Sequence, residues 1–219
     1  TTLPETKTKV CMNIGSPESA FMYSFIPNKG VGLTREEFII ASSIKVHPNA
    51  LLNFNEIKSK TLKNKIEKVT IGYENKVDFY VDKLAEGIGQ IGAAFYPKDV
   101  IVRFSDFKTN EYSTLLGGED YEPKEENPML GWRGASRYYD PKFKEAFKLE
   151  CRALKKVRDE FGLKNIVALI PFCRTPEEGQ KVLDIMRDEG IARGNDGFKV
   201  YVMCEIPANV LRADEFLDI

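Results

Sequence analysis

Five short runs of this chain are apolar almost from end to end, and that most limits what it can fold into. They are "KVCMNIG" (9–15), "GVGLTR" (30–35), "VIVRFSD" (100–106), "NIVALIP" (165–171) and "KVYVMCEIP" (199–207). A strand with one wet face alternates apolar and polar residues; near-continuous runs suit strands buried on both faces, as in parallel sheets covered by helices. The intervening stretches carry helix signals. Ser16 and Pro17 can open a helix over 16–26. Over 140–162, Asp140 and Pro141 precede Phe143, Phe147, Cys151, Leu154 and Val157 at helical spacing, and Gly162 ends the run. Thr175, Pro176 and Gly190 bracket a further helix over 175–190. Alternating strands and helices of this kind make parallel βα units.

Two stretches break the alternation. Residues 49–95 read as a helical insertion after the second strand, with Leu51, Ile57, Leu62, Ile66, Phe79, Leu84 and Ile88 supplying apolar faces. Residues 105–139 form a long, turn-rich connection, and loops of that length in a compact domain commonly bind ligands. A dinucleotide-binding sheet would carry G-x-G-x-x-G after its first strand, and "NIGSPES" (13–19) does not. A (β/α)₈ barrel takes about 250 residues before insertions. The spacing therefore predicts an α/β chain of the (β/α)₈ TIM-barrel type, truncated after about five βα units. It forms one partial barrel domain over 1–219, with the 49–95 insertion and 105–139 as an active-site loop.

Composition narrows the function. With 42% apolar residues a packed core is available, and 32 basic against 33 acidic side chains leave no net basic charge for nucleic acid. Cysteines at 11, 151, 173 and 204 show no C-x-x-C pair, which favours a reducing, cytoplasmic setting. The first ten residues lack the apolar core of a signal peptide, and no run approaches a membrane span.

Charged residues late in apolar strands are the exception to be explained. The second run ends in Arg35, the third contains Arg103, and the fifth leads into Glu205. In a barrel these would converge on the carboxyl-end face, where guanidinium forks match carboxylate or phosphate and a Glu oxygen suits Mg²⁺. For each residue alone a strand-end ion pair, such as Arg35 with Glu37, competes on even terms.

At these residues a resemblance becomes specific. "GVGLTREEF", "VIVRFSDFKTNEY", "EENPMLGWRGASRY", "IPFCRT" and "VMCEIPAN" follow one another as in the C-terminal barrel of the PEP-utilising enzymes, and resemble the synthase branch more than the pyruvate phosphate dikinases or the phosphotransferase-system enzymes. The resemblance implies a pyruvate/PEP-binding barrel. A phosphohistidine on a separate swivelling domain, charged from ATP, delivers its phosphoryl group there, so that ATP, pyruvate and water give PEP, AMP and phosphate. It further implies that Arg35 and Arg103 bind substrate, that Glu205 binds Mg²⁺ and contacts substrate, and that Arg133 of "GWRG" belongs to the same site. The family's sixth-strand Asp metal ligand and its acid/base cysteine would lie beyond Ile219, and its ATP-binding and histidine domains upstream. No catalytic residue is thus expected here, and the chain alone is expected to be inactive.

Other residues have plainer readings. His47 in "KVHPN" suits a structural turn. Cys11, Cys151 and Cys173 suit small core positions. Cys204 should face away from Glu205, "LLGGED" (115–120) lacks the Lys-Ser/Thr of a phosphate loop, and Trp132 suits either a pocket wall or the core. A different class of function, a non-catalytic core that self-associates into a homo-oligomer, would follow if incomplete closure exposed sheet edges and apolar faces.

Overall fold

The computed structural model describes residues 4–219. All five expected strands form, as β1 (Met12–Ile14), β2 (Val31–Arg35), β3 (Val100–Arg103), β4 (Ile166–Ile170) and β5 (Val200–Val202). They make one wholly parallel sheet in the order β1-β2-β3-β4-β5. Every strand thus lies beside its neighbour in sequence, whereas a doubly wound sheet reverses direction at a switch point. β4, "IVALI", is buried at all five positions, as its unbroken apolar character requires.

Helices fill the crossovers. α1 (Pro17–Ser24) joins β1 to β2. The second crossover holds α2 (Glu36–Ile39), a π-helical turn (Ile40–Ile44), α3 (Pro48–Leu52), α4 (Lys60–Val69) and α5 (Lys76–Phe95). The 105–139 connection contains the short helices α6 (Thr109–Tyr112) and α7 (Ala135–Tyr138), and α8 (Lys144–Asp159) completes the crossover to β4. α9 (Pro176–Asp188) precedes β5, and α10 (Pro207–Leu211) and α11 (Ala213–Leu217) follow it. α5 and α8 bury Phe79, Leu84 and Ile88 with Phe147, Cys151, Leu154 and Val157 in one core continuous with the sheet. Among the described residues no helix is long and apolar enough to cross a membrane.

Element ends differ from the spacing for reasons that lie in tertiary contacts. β3 stops at Arg103: Phe104 N–H still reaches Leu169 O at 3.1 Å, but Ser105 N–H donates to the Glu150 carboxylate at 3.0 Å. β5 stops at Val202 because Asn209 Oδ1 accepts from Ile206 N–H at 3.1 Å, turning the chain into α10. α8 begins at Lys144, about one turn after Asp140, whose carboxylate instead closes a turn by accepting from Lys142 N–H at 2.8 Å. Ser16 occupies the N-cap of α1 but bonds to Glu18 rather than to the backbone. Thr175 caps α9 as expected, accepting from Glu178 N–H at 3.2 Å. Cys11, expected in the core, is exposed at the β1 edge, whereas Cys151 and Cys173 are buried.

Candidate anion site at the strand ends

The "GVG" opening of β2 is set by a close approach. Gly30 has φ 125°, and a Cβ there would lie 2.5 Å from Asp99 O, so only glycine admits the strand alongside that turn. The pairing of β2 with β3 shifts register between Val31 and Thr34, and beyond that shift Arg35 pairs with Arg103. Paired positions of a parallel ladder share a face, so two guanidinium groups stand side by side at the carboxyl end of the sheet.

Their surroundings divide the pair. Arg103 bonds to Glu37 and lies 3.5 Å from the Asp106 carboxylate. Burial works against its charge, but Glu37 and Asp106 outweigh it and raise its pKa. Burial pushes the Glu37 carboxyl up, against the pull of Arg103. The Arg103 Nε remains buried with no acceptor. Glu37, the carboxylate expected to pair with Arg35 if its role were structural, is thus engaged by Arg103. Among the described residues Arg35 makes no ion pair or side-chain hydrogen bond; its guanidinium carbon lies 5.6 Å from the centre of the Phe38 ring. A half-buried guanidinium without a carboxylate, beside a second one with an unpartnered donor, has the chemistry that suits an anion.

Arg133 joins from the long connection. Its Nε and Nη2 donate to both oxygens of Asp106 at 2.9 and 2.8 Å, a bidentate clamp, and its guanidinium lies 4.4 Å from the Phe172 ring. Phe172 follows β4 in a left-handed conformation, φ 49°, uncommon for a bulky residue and of the kind that gathers at functional sites. Its N–H donates to Glu205 Oε1 at 2.7 Å, bringing the exposed Glu205 carboxylate to the same end of the sheet. Gly134 makes this contact possible. At φ 60° it packs so closely that a Cβ would sit 2.5 Å from Pro171 O. Arg174 then fastens the connection, donating to Gly131 O at 2.7 Å and Ser136 Oγ at 3.1 Å.

The root of that connection is a buried charged cluster. Arg137 donates to both Glu122 oxygens at 2.6 and 2.7 Å, and its guanidinium carbon lies 4.0 Å from the Trp132 ring, 4.5 Å from Tyr112 and 4.8 Å from Phe143. His47 Nδ1 accepts from Asn49 N–H, so Nε2 carries the proton it gives to Glu122 at 2.9 Å. Burial lowers the His47 pKa, keeping the ring neutral. His47 therefore has the structural role its turn context implied, and Trp132 packs on Arg137.

Sequence reasoning singled out Arg35, Arg103, Arg133 and Glu205, which come from four different segments to the carboxyl side of the sheet. It missed Glu37, Asp106 and Phe172. Asp106 carried one signal, its position three residues after Arg103 in "VIVRFSDF".

The fold is an α/β domain on five parallel strands, with Arg35, Arg103, Arg133 and Glu205 gathered at the carboxyl end of its sheet. Residues 1–218 match the model of the PEP-utilising enzyme, PEP-binding domain, and the chain belongs to the PEP-utilising enzyme family. It is 57% identical to the phosphoenolpyruvate synthase of Synechocystis sp. over 218 residues and 57% identical to that of Helicobacter pylori over 217. It is 51% identical to the phosphoenolpyruvate synthase of Escherichia coli over 217 residues. Each match takes in 99% of this chain and 27% of the relative, so the chain spans about a quarter of their length.

Proposed function

We propose that this chain is the pyruvate/PEP-binding domain of a phosphoenolpyruvate synthase, and that Arg35 and Arg103 hold the substrate. The observation that carries the reading is the free guanidinium of Arg35 beside the half-spent one of Arg103. The five parallel strands in sequential order are read as an arc of a (β/α)₈ barrel, with 49–95 as an insertion and 105–139 as the active-site loop. β1 and β5 stand at the sheet's two ends, where further strands of the parent would pair.

In this reading the arginines bind the carboxylate and the oxygen of pyruvate that becomes anionic as it takes the phosphoryl group from the phosphohistidine of another domain. Fixed positive groups aimed at developing charge are the main source of such catalysis. Arg133, held by Asp106, lines the same mouth and faces the incoming phosphoryl group. The donor set suits Mg²⁺ through a single hard oxygen ligand. Among the described residues no three His, Cys, Asp or Glu side chains form a metal-holding group, so Glu205 would be the ligand from this chain, with water and substrate oxygens completing the shell. When bound, the ion would supply positive charge to the same developing anion. ATP would be used by another domain of the parent, and the setting is cytoplasmic.

The test is Arg103→Lys in the full-length parent. Lysine keeps the charge but loses the fork, at about 1.5–3 kcal/mol per lost charge-assisted bond. A raised pyruvate KM and lowered kcat/KM are expected; unchanged turnover and KM would reduce Arg103 to a structural ion pair. A second reading, self-assembly, has one observation in its favour: Phe21 and Met22 of α1 and Phe25 just after it are 68%, 63% and 73% exposed.

A further inference from the structure

Asp106 stands where two of the gathered arginines meet. It follows β3, and its carboxylate is buried. Oδ1 accepts from Arg133 Nε–H at 2.9 Å and Oδ2 from Arg133 Nη2–H at 2.8 Å. The same Oδ2 lies 3.5 Å from Arg103 Nη1, while Glu37 takes Arg103 Nη2. One carboxylate is therefore counter-ion to both guanidinium groups, with one oxygen shared between them.

The fork decides which part of Arg133 is left for a ligand. A guanidinium is planar, so two parallel bonds along its Nε–Nη2 edge fix both its position and its rotation in that plane. The Phe172 ring packs against its face, 4.4 Å from the guanidinium carbon. What remains is the Nη1 end. Among the described residues it meets only the carbonyl oxygen and the sulfur of Met129, at 3.2 and 3.3 Å. Met129 sits in a short 3₁₀ turn (Pro128–Leu130) and is 55% exposed. A neutral, exposed acceptor is a weaker partner than a charged one, so a phosphoryl oxygen can replace it while the Asp106 fork stays closed. Arg133 thus has a committed edge and an exchangeable end.

We propose that Asp106 is a positioning residue for phosphoryl transfer. It presents the Nη1 end of Arg133 to the phosphoryl group and, through the oxygen shared with Arg103, sets the spacing between that end and the arginine that holds the substrate. The inference rests on the reading of Arg103 and Arg133 as ligand-binding groups. In the transfer, the phosphorus–nitrogen bond of the phosphohistidine breaks, its electron pair staying on nitrogen, and a phosphorus–oxygen bond to the pyruvate enolate forms. The methyl proton lost on enolisation goes to an acid/base group of the parent. Asp106 acts only through the arginines. Its hold on Arg133 is two-pronged and short and its approach to Arg103 is long, so its loss should misplace Arg133 most. A misplacement of about 1 Å costs on the order of a hundredfold in rate.

Steady-state PEP formation by the full-length parent, together with calorimetric titration of oxalate in the presence of Mg²⁺, tests this. Asp106→Asn turns an amide N–H toward a guanidinium and opens the fork. Its kcat should fall on the order of a hundredfold, while pyruvate KM and oxalate affinity change by no more than about threefold. Asp106→Glu keeps the charge that both arginines need for folding but advances the carboxylate by one methylene, about 1.5 Å, and should show the same split. Non-additivity separates positioning from simple loss of structure. In an Arg133→Lys background, which has no fork to hold, Asp106→Asn should lower kcat little further, whereas a structural defect would multiply with the arginine change. Near-normal kcat in both Asp106 variants, or a full multiplicative loss in the double variant, overturns the proposal. An Arg133→Lys enzyme with wild-type kcat overturns the reading of Arg133 and takes the role of Asp106 with it. An impaired Arg133→Lys enzyme beside normal Asp106 variants sinks the positioning role alone.

Discussion

Arg137 shows how much of this chain's charge is spent on architecture before any is left for ligands. Its guanidinium is wholly buried, forked onto Glu122 and surrounded by Trp132, Tyr112 and Phe143. Arg137→Met would strand the Glu122 carboxylate, and breaking a buried pair from one side costs about 3–5 kcal/mol. The expected result is a clearly lowered melting temperature of the full-length protein; a change within measurement error would mean that water or another donor reaches Glu122. The fully buried Glu36 carboxyl makes a pH-dependent prediction for stability. A carboxyl whose pKa is raised by folding binds its proton more tightly in the native state, so stability falls as pH rises from the ordinary value of 4.5 toward the raised one. Glu36→Gln removes that loss. Its melting temperature should gain on wild type steadily between about pH 5 and about pH 7, and a constant gap would contradict a carboxyl raised by burial.

At the scale of elements, the join between the long connection and the end of β4 positions Arg133 and Glu205 together. Gly134→Ala would drive a methyl group into Pro171 O and force a left-handed conformation on a residue that resists it, so it should raise the pyruvate KM well beyond any fall in melting temperature. Unchanged kinetics would show that this join does not set the site. How much of this was legible follows element by element. β4 stood out because burial on both faces leaves an unbroken apolar run, whereas β1 and β5, at the sheet's edges, have the same apolar character but are only partly buried. Element ends did not stand out, because β3 is stopped by Glu150, 45 residues away, and α8 starts late because Asp140 closes a turn. Arg35, Arg103 and Glu205 were visible as charges in apolar company. That Glu37 would choose Arg103 over Arg35 was not, since it depends on the register of β2 against β3. Cys11 was read as core because its run is apolar, yet it lies exposed at the edge strand.

The whole molecule is built on one sheet of five parallel strands in sequential order, with β1 and β5 at its two edges. Groups that act as a unit in catalysis fail together when some are missing, so the chain alone should form no PEP from ATP and pyruvate. Detectable ATP-dependent PEP formation by purified chain would overturn the reading of this chain as the pyruvate/PEP-binding part of a larger catalytic unit. Light scattering distinguishes the self-assembly reading: a discrete large oligomer of the chain supports it, and a compact monomer removes it. The central claim is that Arg35 and Arg103 jointly receive the substrate anion, with Glu205 serving the same ligand. The most direct measurement is a crystal structure of the full-length parent with Mg²⁺ and oxalate, a mimic of enolpyruvate. The account predicts oxalate at the carboxyl ends of β2 and β3, hydrogen-bonded to both arginines, with the metal between it and Glu205. Oxalate bound elsewhere while Arg35 stays unengaged, or a metal with no contact to Glu205, would contradict it.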